Sequence, residues 1–413
     1  MLDESNLHLL VDAGQIHAAL RTKHGDERVR QLEELQVGMA TDNVLGITSL
    51  ILRVKVAYVD AEGRAASDSL VVKRLPLSLK QLELVDNCNS FEREIEFLVE
   101  YAPLLRERAL GRWLPLVECY WGAERTLVME DLCAGGYQSL VGTIGDLKMD
   151  VFTPEHVEAV LKVLAGLHAA SAGIDWEQRF PRYLPHNPLF DGTDGEYFRS
   201  TLDSAIEGLL FLADARLTEL YPEVMCWLRE GDVFEELRRC GKRSDQFLNV
   251  LNQGDPWGNN ILFRRDKHTG QLEVKIVDYQ LGKFAPASCD LFYFLYTSIS
   301  HDLRLANEPR WLELYRREFN ALVGEQFRLE EQQFEQHCRK NRIYGLMFAS
   351  LCRPMLYMHK RTPSAEMSDE KFMEFMVRDY KGHEHNQSLK LEVDNIFVDL
   401  VCFYYSNKYG NSQ

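Results

Sequence analysis

Three oxygen-bearing side chains, Asp255, Asn260 and Asp278, are spaced along one stretch of the chain. It reads Leu-Asn-Gln-Gly-Asp-Pro-Trp-Gly-Asn-Asn-Ile-Leu-Phe from Leu251, then a polar turn, then Val-Lys-Ile-Val-Asp-Tyr-Gln from Val274. Hard oxygen ligands of this kind suit Mg²⁺, which keeps several waters and is held by one or two carboxylates together with substrate phosphates. Apolar runs at 261–263 and 274–277 flank Asp266-Lys267-His268-Thr269-Gly270, the pattern of a β-hairpin with a loop of several residues. Thr269 is the midpoint of Asn260 and Asp278, so symmetric pairing would bring amide and carboxylate out together at the open end.

Asp255 stands on a Gly-Asp-Pro turn, five residues before Asn260. By itself such a turn is ordinary, and an aspartate closing a strand is common. The joint spacing, Asp-x-x-x-x-Asn followed by a strand ending in Asp, is the phosphotransfer arrangement of protein-kinase-like proteins. There the first Asp accepts the proton of the attacking hydroxyl, while the Asn and the second Asp carry Mg²⁺. The spacing therefore predicts Asp255 as general base and Asn260 and Asp278 as metal ligands.

Such a site needs a cation for the nucleotide phosphates. Residues 35–39, 47–58 and 69–75 read as an antiparallel meander, with Asp60-Ala61-Glu62-Gly63 turning between the last two strands. Lys73, in Leu70-Val71-Val72-Lys73-Arg74-Leu75, is the candidate cation. Alternation places Lys73 with Val71 and Leu75, and Arg74 with Leu70 and Val72, so periodicity leaves both open. Between the first two strands, 38–46 lacks a Gly-x-Gly-x-x-Gly pattern. It is either an ordinary hairpin loop or a covering turn in which Thr41, Asp42, Asn43, Thr48 and Ser49 meet phosphate.

Ser90 is the expected cap of a helix over 91–101. Stepping about 100° per residue, Phe91, Ile95, Leu98 and Val99 fall on one side of an apolar arc and Phe97 and Tyr101 on the other. Glu94 lies inside the arc; Glu92, Glu96 and Glu100 lie outside. A carboxylate on an apolar face needs a cation or a route to water. Either Glu94 pairs with Lys73 and holds it for the phosphates, or it snorkels. Residues 113–120 and 126–132 complete five strands, and backbone groups from Glu130 to Leu132 are expected to face an adenine edge before the Cys133-Ala134-Gly135-Gly136 turn.

Beyond that turn the pattern is helical. Thr153-Pro154 opens a helix with the stripe Val157, Val160, Leu161, Leu164 and Leu167, ending at His168, read as a core histidine. Further helices are expected at 196–212, 217–229, 233–239, 311–323, 329–351 and 369–380. Another begins at Asp290, a candidate anchor of the catalytic loop, and an apolar tail at 397–405 should pack. At 413 residues two parts are expected, 1–133 and 134–413.

A net charge of −16 and a pI near 5.3 disfavour nucleic acid and anionic membrane surfaces. No long apolar run suggests a membrane span, and the acidic N-terminus does not read as a secretory signal. Nine cysteines without a Cys-x-x-Cys pair fit a reducing, cytoplasmic setting. Cys289 reads as a small buried hydrophobe rather than a reactive thiol. No obligate protein partner is indicated.

Leu75-Pro76 after Val72-Lys73, Phe91-Glu92-Arg93-Glu94, the segments 127–132 and 164–169, Gly254-Asp255-Pro256-Trp257-Gly258-Asn259-Asn260-Ile261, Val277-Asp278-Tyr279-Gln280 and Asp290-Leu291 occur in this order. Together they resemble the ecdysteroid-kinase-like (CHK kinase-like) family over about residues 35–360. The resemblance implies an α+β, bilobal protein-kinase-like fold: an N-terminal five-stranded antiparallel sheet with one main helix, and a larger, mostly helical C-terminal lobe. It implies ATP and Mg²⁺ as cofactors and a small-molecule hydroxyl, in the namesake an ecdysteroid, as acceptor. Gln253 departs from the family pattern, which usually has His there. A choline- or aminoglycoside-type acceptor, or a ligand-binding protein without transfer activity, are the alternatives.

Overall fold

The computed structural model describes residues 4–25, 28–40, 49–76, 82, 85–86, 88–141, 150–358 and 386–409. The chain divides into two compact units. The first is Met1–Glu107, Pro115–Ser139 and Ile261–Gln280; the second is Arg108–Leu114, Leu140–Asn260 and Leu281–Gln413.

Period-two burial organises the first unit. Strands β1 (Val29–Met39), β2 (Leu50–Asp60), β3 (Ala65–Arg74), β4 (Cys119–Ala123) and β5 (Thr126–Glu130) form an antiparallel sheet in the order β1-β2-β3-β5-β4. Leu50, Leu52, Val54, Val56 and Tyr58 of β2 all point to one face. There they join Leu70, Val72 and Val128 in a core completed by Ile16, Ala19 and Leu20 of the helix Ala13–His24. The helix Ser90–Glu96, continuing through a π-turn at Phe97–Tyr101 into Ala102–Arg108, is the main helix anticipated.

Several boundaries differ from expectation, each for a physical reason. The first strand is expected at 35–39, yet β1 starts at Val29, because eleven-residue β2 offers it a partner edge from Asp60 to Leu52. Residues 113–120 do not form one strand. Leu116 bridges Ile276 and Pro115 accepts its N–H, so the chain joins the hairpin before entering the sheet at Cys119. Asn89, not Ser90, is the N-cap, with φ 48°, and Ser90 is the first helical residue. Val99 is 44% exposed, since the i→i+5 turn adds a residue and swings it out of the apolar arc. The hairpin Ile261–Arg265/Leu272–Ile276 forms, but it pairs Ile261 with Ile276, one residue off the symmetric register. Asp266 sets this even-numbered loop by accepting from His268 and Thr269 N–H, and Gly270 closes it at φ 69°.

The second unit is helical around one small ribbon. Pro154–Ser171 starts as expected, with His156 Nδ1 accepting the Thr153 N–H at 3.2 Å, and its stripe is fully buried. Ser288–Ser298 is apolar nearly all round and correspondingly buried. It packs against Glu331–Met358, which in turn carries the C-terminal helix Gln387–Tyr409, where Leu389, Val393, Phe397 and Leu400 are buried. The ribbon pairs Asn249–Asn252 with Lys283–Pro286. Cys289 is 1% exposed and its thiol is pushed up to about 12 by burial, as a packing residue's would be. The helix anticipated at 369–380 and residues 41–46 of the loop anticipated at 38–46 lie outside the described residues, while Gly38 and Met39 belong to β1. Among the described residues, no helix is long and apolar enough to cross a membrane.

One buried imidazole links this packing to pH. His337 Nε2 lies 2.8 Å from Ser288 Oγ and the ring lies against Phe247, and burial, aided by Lys340, depresses its pKa to about 4. A folded pKa below the unfolded value of about 6.5 means the unfolded chain binds the extra proton, so stability is full above about pH 6.5 and is lost as pH falls towards 4. Urea unfolding at pH 7.0 and 4.5 should show a loss of up to about 3 kcal/mol from this residue. The loss should shrink in His337→Gln; an identical pH dependence in that variant would remove His337 as its source.

Candidate functional site

In the first unit β3 and the Ser90–Glu96 helix face each other across a buried ion pair. Lys73 Nζ lies 2.5 Å from Glu94 Oε2, with the residues 4% and 2% exposed. Asp278 Oδ1 takes the same ammonium at 2.8 Å. The choice between Lys73 and Arg74 is thereby resolved, because Arg74 turns the other way to donate to the Leu10 carbonyl. Burial alone would lower the Lys73 pKa, but the two carboxylates outweigh it and raise it, so the ammonium stays charged. With two acids on one base, the Glu94 carboxyl is held above the usual carboxylate range, chiefly by burial and only partly offset by Lys73.

Asp278 is fixed by more than its charge. It sits at φ 65°, an uncommon conformation for a non-glycine residue, where the chain leaves the Leu272–Ile276 strand. Tyr279 follows, fully buried, with its N–H 3.4 Å from Glu94 Oε1 and its ring stacked on Phe97 at 4.3 Å. The helix therefore holds this turn twice, through Glu94 and through the π-turn residue Phe97.

Glu130 Oε1 accepts from Lys275 Nζ (3.0 Å) and the Glu118 N–H (2.8 Å), which joins the sheet to the hairpin. Its own N–H donates to Glu118 O, and the Leu132 carbonyl accepts from Tyr137 N–H. Asp131 between them is held by Arg53 (2.8 Å) and Ser69 (2.6 Å). Ser49 is 8% exposed just before β2, and Thr48 lies outside the described residues.

Asp255 and Asn260 lie together in the second unit, in the loop leaving the Asn249–Asn252 strand. The loop is built from Asp290, which is fully buried and accepts the Gln253 N–H (2.7 Å) and the Gly254 N–H (2.9 Å). His168 Nε2 lies 3.1 Å from the same carboxylate, and its Nδ1 lies 2.8 Å from Tyr315 Oη. A neutral ring donating from Nε2 and accepting from the phenol satisfies both contacts. Gly254 has φ 97°, and a Cβ there would stand 2.0 Å from the Leu281 carbonyl oxygen, so no other residue fits the turn.

The side chain of Gln253, itself fully buried, then accepts the Asp255 N–H at 2.7 Å. Asn260 Nδ2 donates to Asp255 O (3.0 Å) and Oδ2 (3.1 Å), which leaves the amide oxygen as the acceptor of that side chain. The five-residue spacing thus works through a 3₁₀ turn at Gly258–Asn260 that returns Asn260 onto Asp255. Tyr293, not anticipated from the sequence, is buried on the Ser288–Ser298 helix, where burial and then the charge of Asp255 hold its phenol well above its ordinary pKa. Its only sequence signal is its place three residues after Asp290, on the same helix face.

Residues 45–325 match the sequence model of the ecdysteroid kinase-like family. No match was found among curated protein sequences. Among solved structures, an ethanolamine kinase of Plasmodium vivax is 11% identical, covering 88% of this chain and 87% of that one at a TM-score of 0.44. A type I macrolide 2′-phosphotransferase is 13% identical, with coverages of 90% and 96% and a TM-score of 0.42. An amicoumacin kinase complexed with AMP-PNP and Ca²⁺ is 12% identical, with coverages of 93% and 96% and a TM-score of 0.43.

The Lys73 ion pair is testable through stability. Lys73→Met leaves the Glu94 carboxylate buried without its cation, which should cost about 3–5 kcal/mol. Adding Glu94→Gln should recover part of that loss in a double-mutant cycle read by urea unfolding. Strict additivity would mean the two side chains do not interact.

Proposed function

The chain belongs to the ecdysteroid kinase-like family of ATP-dependent small-molecule kinases, which phosphorylate hydroxyl groups, and from that premise we propose that its acceptor is a lipophilic alcohol of the ecdysteroid type. The observation carrying the kinase reading is the buried Lys73–Glu94 pair with Asp278 on the same ammonium. A lysine so held keeps its charge and its place for nucleotide phosphates. Residues 1–133 would serve the nucleotide and 134–413 the acceptor, with Ser49, Thr48 and the backbone from Glu130 to Leu132 as further nucleotide contacts.

Asp278 and the Asn260 amide oxygen are the residues that would hold Mg²⁺, and their donor chemistry fits a hard ion that shares its shell with phosphates and water. When bound, the ion neutralises charge on the transferring group. Asp255 orients the acceptor hydroxyl and takes its proton. The acceptor oxygen bonds to the γ-phosphorus as the bond to the β–γ bridging oxygen breaks, leaving ADP and a phosphomonoester. Gln253 supports this role, since its Oε1 holds the Asp255 N–H in place.

Incubation with Mg·ATP and a panel of ecdysteroid, choline and aminoglycoside acceptors, read by mass spectrometry, should yield a phosphomonoester of the ecdysteroid. Asp255→Asn should lower its formation by about 10²–10⁴, the usual worth of a general base, while nucleotide binding persists. Transfer to choline or an aminoglycoside alone would reassign the acceptor. Mg²⁺-dependent nucleotide binding with no transfer to any acceptor would make the protein a ligand-binding relative of the kinases.

A further inference from the structure

The turn that carries Asn260 is tied to a helix later in the chain. Gly258 opens the 3₁₀ turn Gly258–Asn260 and is buried. The first N–H of such a turn has no partner within it, and a buried backbone donor needs an acceptor. Ser298, the last residue of the Ser288–Ser298 helix, supplies one: its Oγ takes the Gly258 N–H at 2.8 Å.

Neighbouring groups decide how that hydroxyl is used. Thr297 Oγ1 donates to the Tyr293 carbonyl at 2.7 Å, so its proton is committed to the helix backbone. Ser298 Oγ lies 3.2 Å from Thr297 Oγ1 and is therefore the donor of that pair, which leaves its lone pairs for Gly258. One helical turn earlier, Phe294 meets Phe152 edge-on at 5.8 Å between centroids. Phe152 in turn closes over the glycine, where an added Cβ would stand 3.0 Å from its ring and 2.7 Å from Val141 Cγ2. The helix thus holds the turn at one point by a hydrogen bond and at another by packing.

We propose that Ser298 is a positioning residue for phosphoryl transfer: by accepting the Gly258 N–H it sets the turn that returns the Asn260 side chain onto Asp255. This rests on the kinase reading above, in which Asn260 is a metal ligand. The path from hydroxyl to amide is short. The Asn260 N–H closes the turn on the Trp257 carbonyl at 2.9 Å, and the Trp257 N–H goes to the Asp255 carbonyl at 2.8 Å. That same carbonyl accepts from Asn260 Nδ2 at 3.0 Å. Releasing Gly258 from Ser298 therefore loosens the backbone that carries both partners of the contact orienting the amide. Groups that orient a ligand from behind are worth about 10–100-fold in metal affinity.

Ser298→Ala removes the acceptor and Ser298→Thr keeps it. In full-length, metal-free protein labelled with ¹⁵N-asparagine, the Asn260 side-chain NH₂ is assigned by its loss in Asn260→Asp. Its exchange with solvent should quicken about tenfold in Ser298→Ala and return to the wild-type rate in Ser298→Thr. The Asn252 side chain, held by the Val250 and Ala285 carbonyls, is the internal reference and should not change. A serine that only stabilises the fold would quicken both asparagines alike, and that result overturns the proposal. Mn²⁺ binding in the presence of AMP-PNP, read by electron paramagnetic resonance, should weaken about tenfold in Ser298→Ala and recover in Ser298→Thr. Unchanged Mn²⁺ affinity in Ser298→Ala also overturns it. A wild type that binds no Mn²⁺ counts against the kinase reading, while the exchange rates, read without metal or acceptor, still decide whether Ser298 places Asn260. Should Ser298→Ala fail to fold, Ser298→Cys keeps the volume with a weaker acceptor and should show the same selective quickening in smaller measure; a wild-type rate at Asn260 there overturns the proposal equally.

Discussion

One buried ammonium group organises the first unit. Lys73 is enclosed by β3 and the Ser90–Glu96 helix, and two carboxylates meet it within 2.5 and 2.8 Å. A charge so deeply buried is tolerated only when paired and hydrogen-bonded. That constraint dictates the surroundings. The helix must turn Glu94 inward, and the chain after the hairpin must take a positive φ at Asp278. The π-turn must bring Phe97 over Tyr279. Loosening any of these leaves a carboxylate without its cation.

The second unit solves a related problem with a carboxylate at its centre. Asp290 has no exposure, and its oxygens are occupied by two backbone N–H groups and an imidazole. What it stabilises is a loop that would otherwise carry unsatisfied backbone donors into the interior. Gly254 makes the turn sterically possible, and Gln253 passes the order on to Asp255. The loop is thus held by side chains of elements distant in sequence, in keeping with the rule that binding residues sit on loops positioned by a rigid scaffold.

The departure at Gln253 gains a physical meaning here. An amide oxygen accepts a backbone N–H without titrating, so this contact persists across the pH range in which an imidazole would change charge. The position can therefore orient the loop without a ring.

Much of this could be read from residue order. Glu94 stood out as a carboxylate inside an apolar arc, which called for either a cation on the adjoining strand or a route to water, and the fold supplies the cation. The Asp-x-x-x-x-Asn spacing placed Asn260 on Asp255, because a turn of that length returns on itself, and the polar run at 266–270 announced the hairpin. Alternation also marked β2 and β3, where one face is buried. Order along the chain could not reveal that Asp278, 205 residues from Lys73, shares its ammonium, nor that Asp290 gathers the backbone N–H groups of Gln253 and Gly254. It could not set the one-residue offset of the hairpin or the π-turn that expels Val99. Those features depend on which surfaces meet and how their unsatisfied groups find partners, and local periodicity carries no record of a partner brought in by the fold.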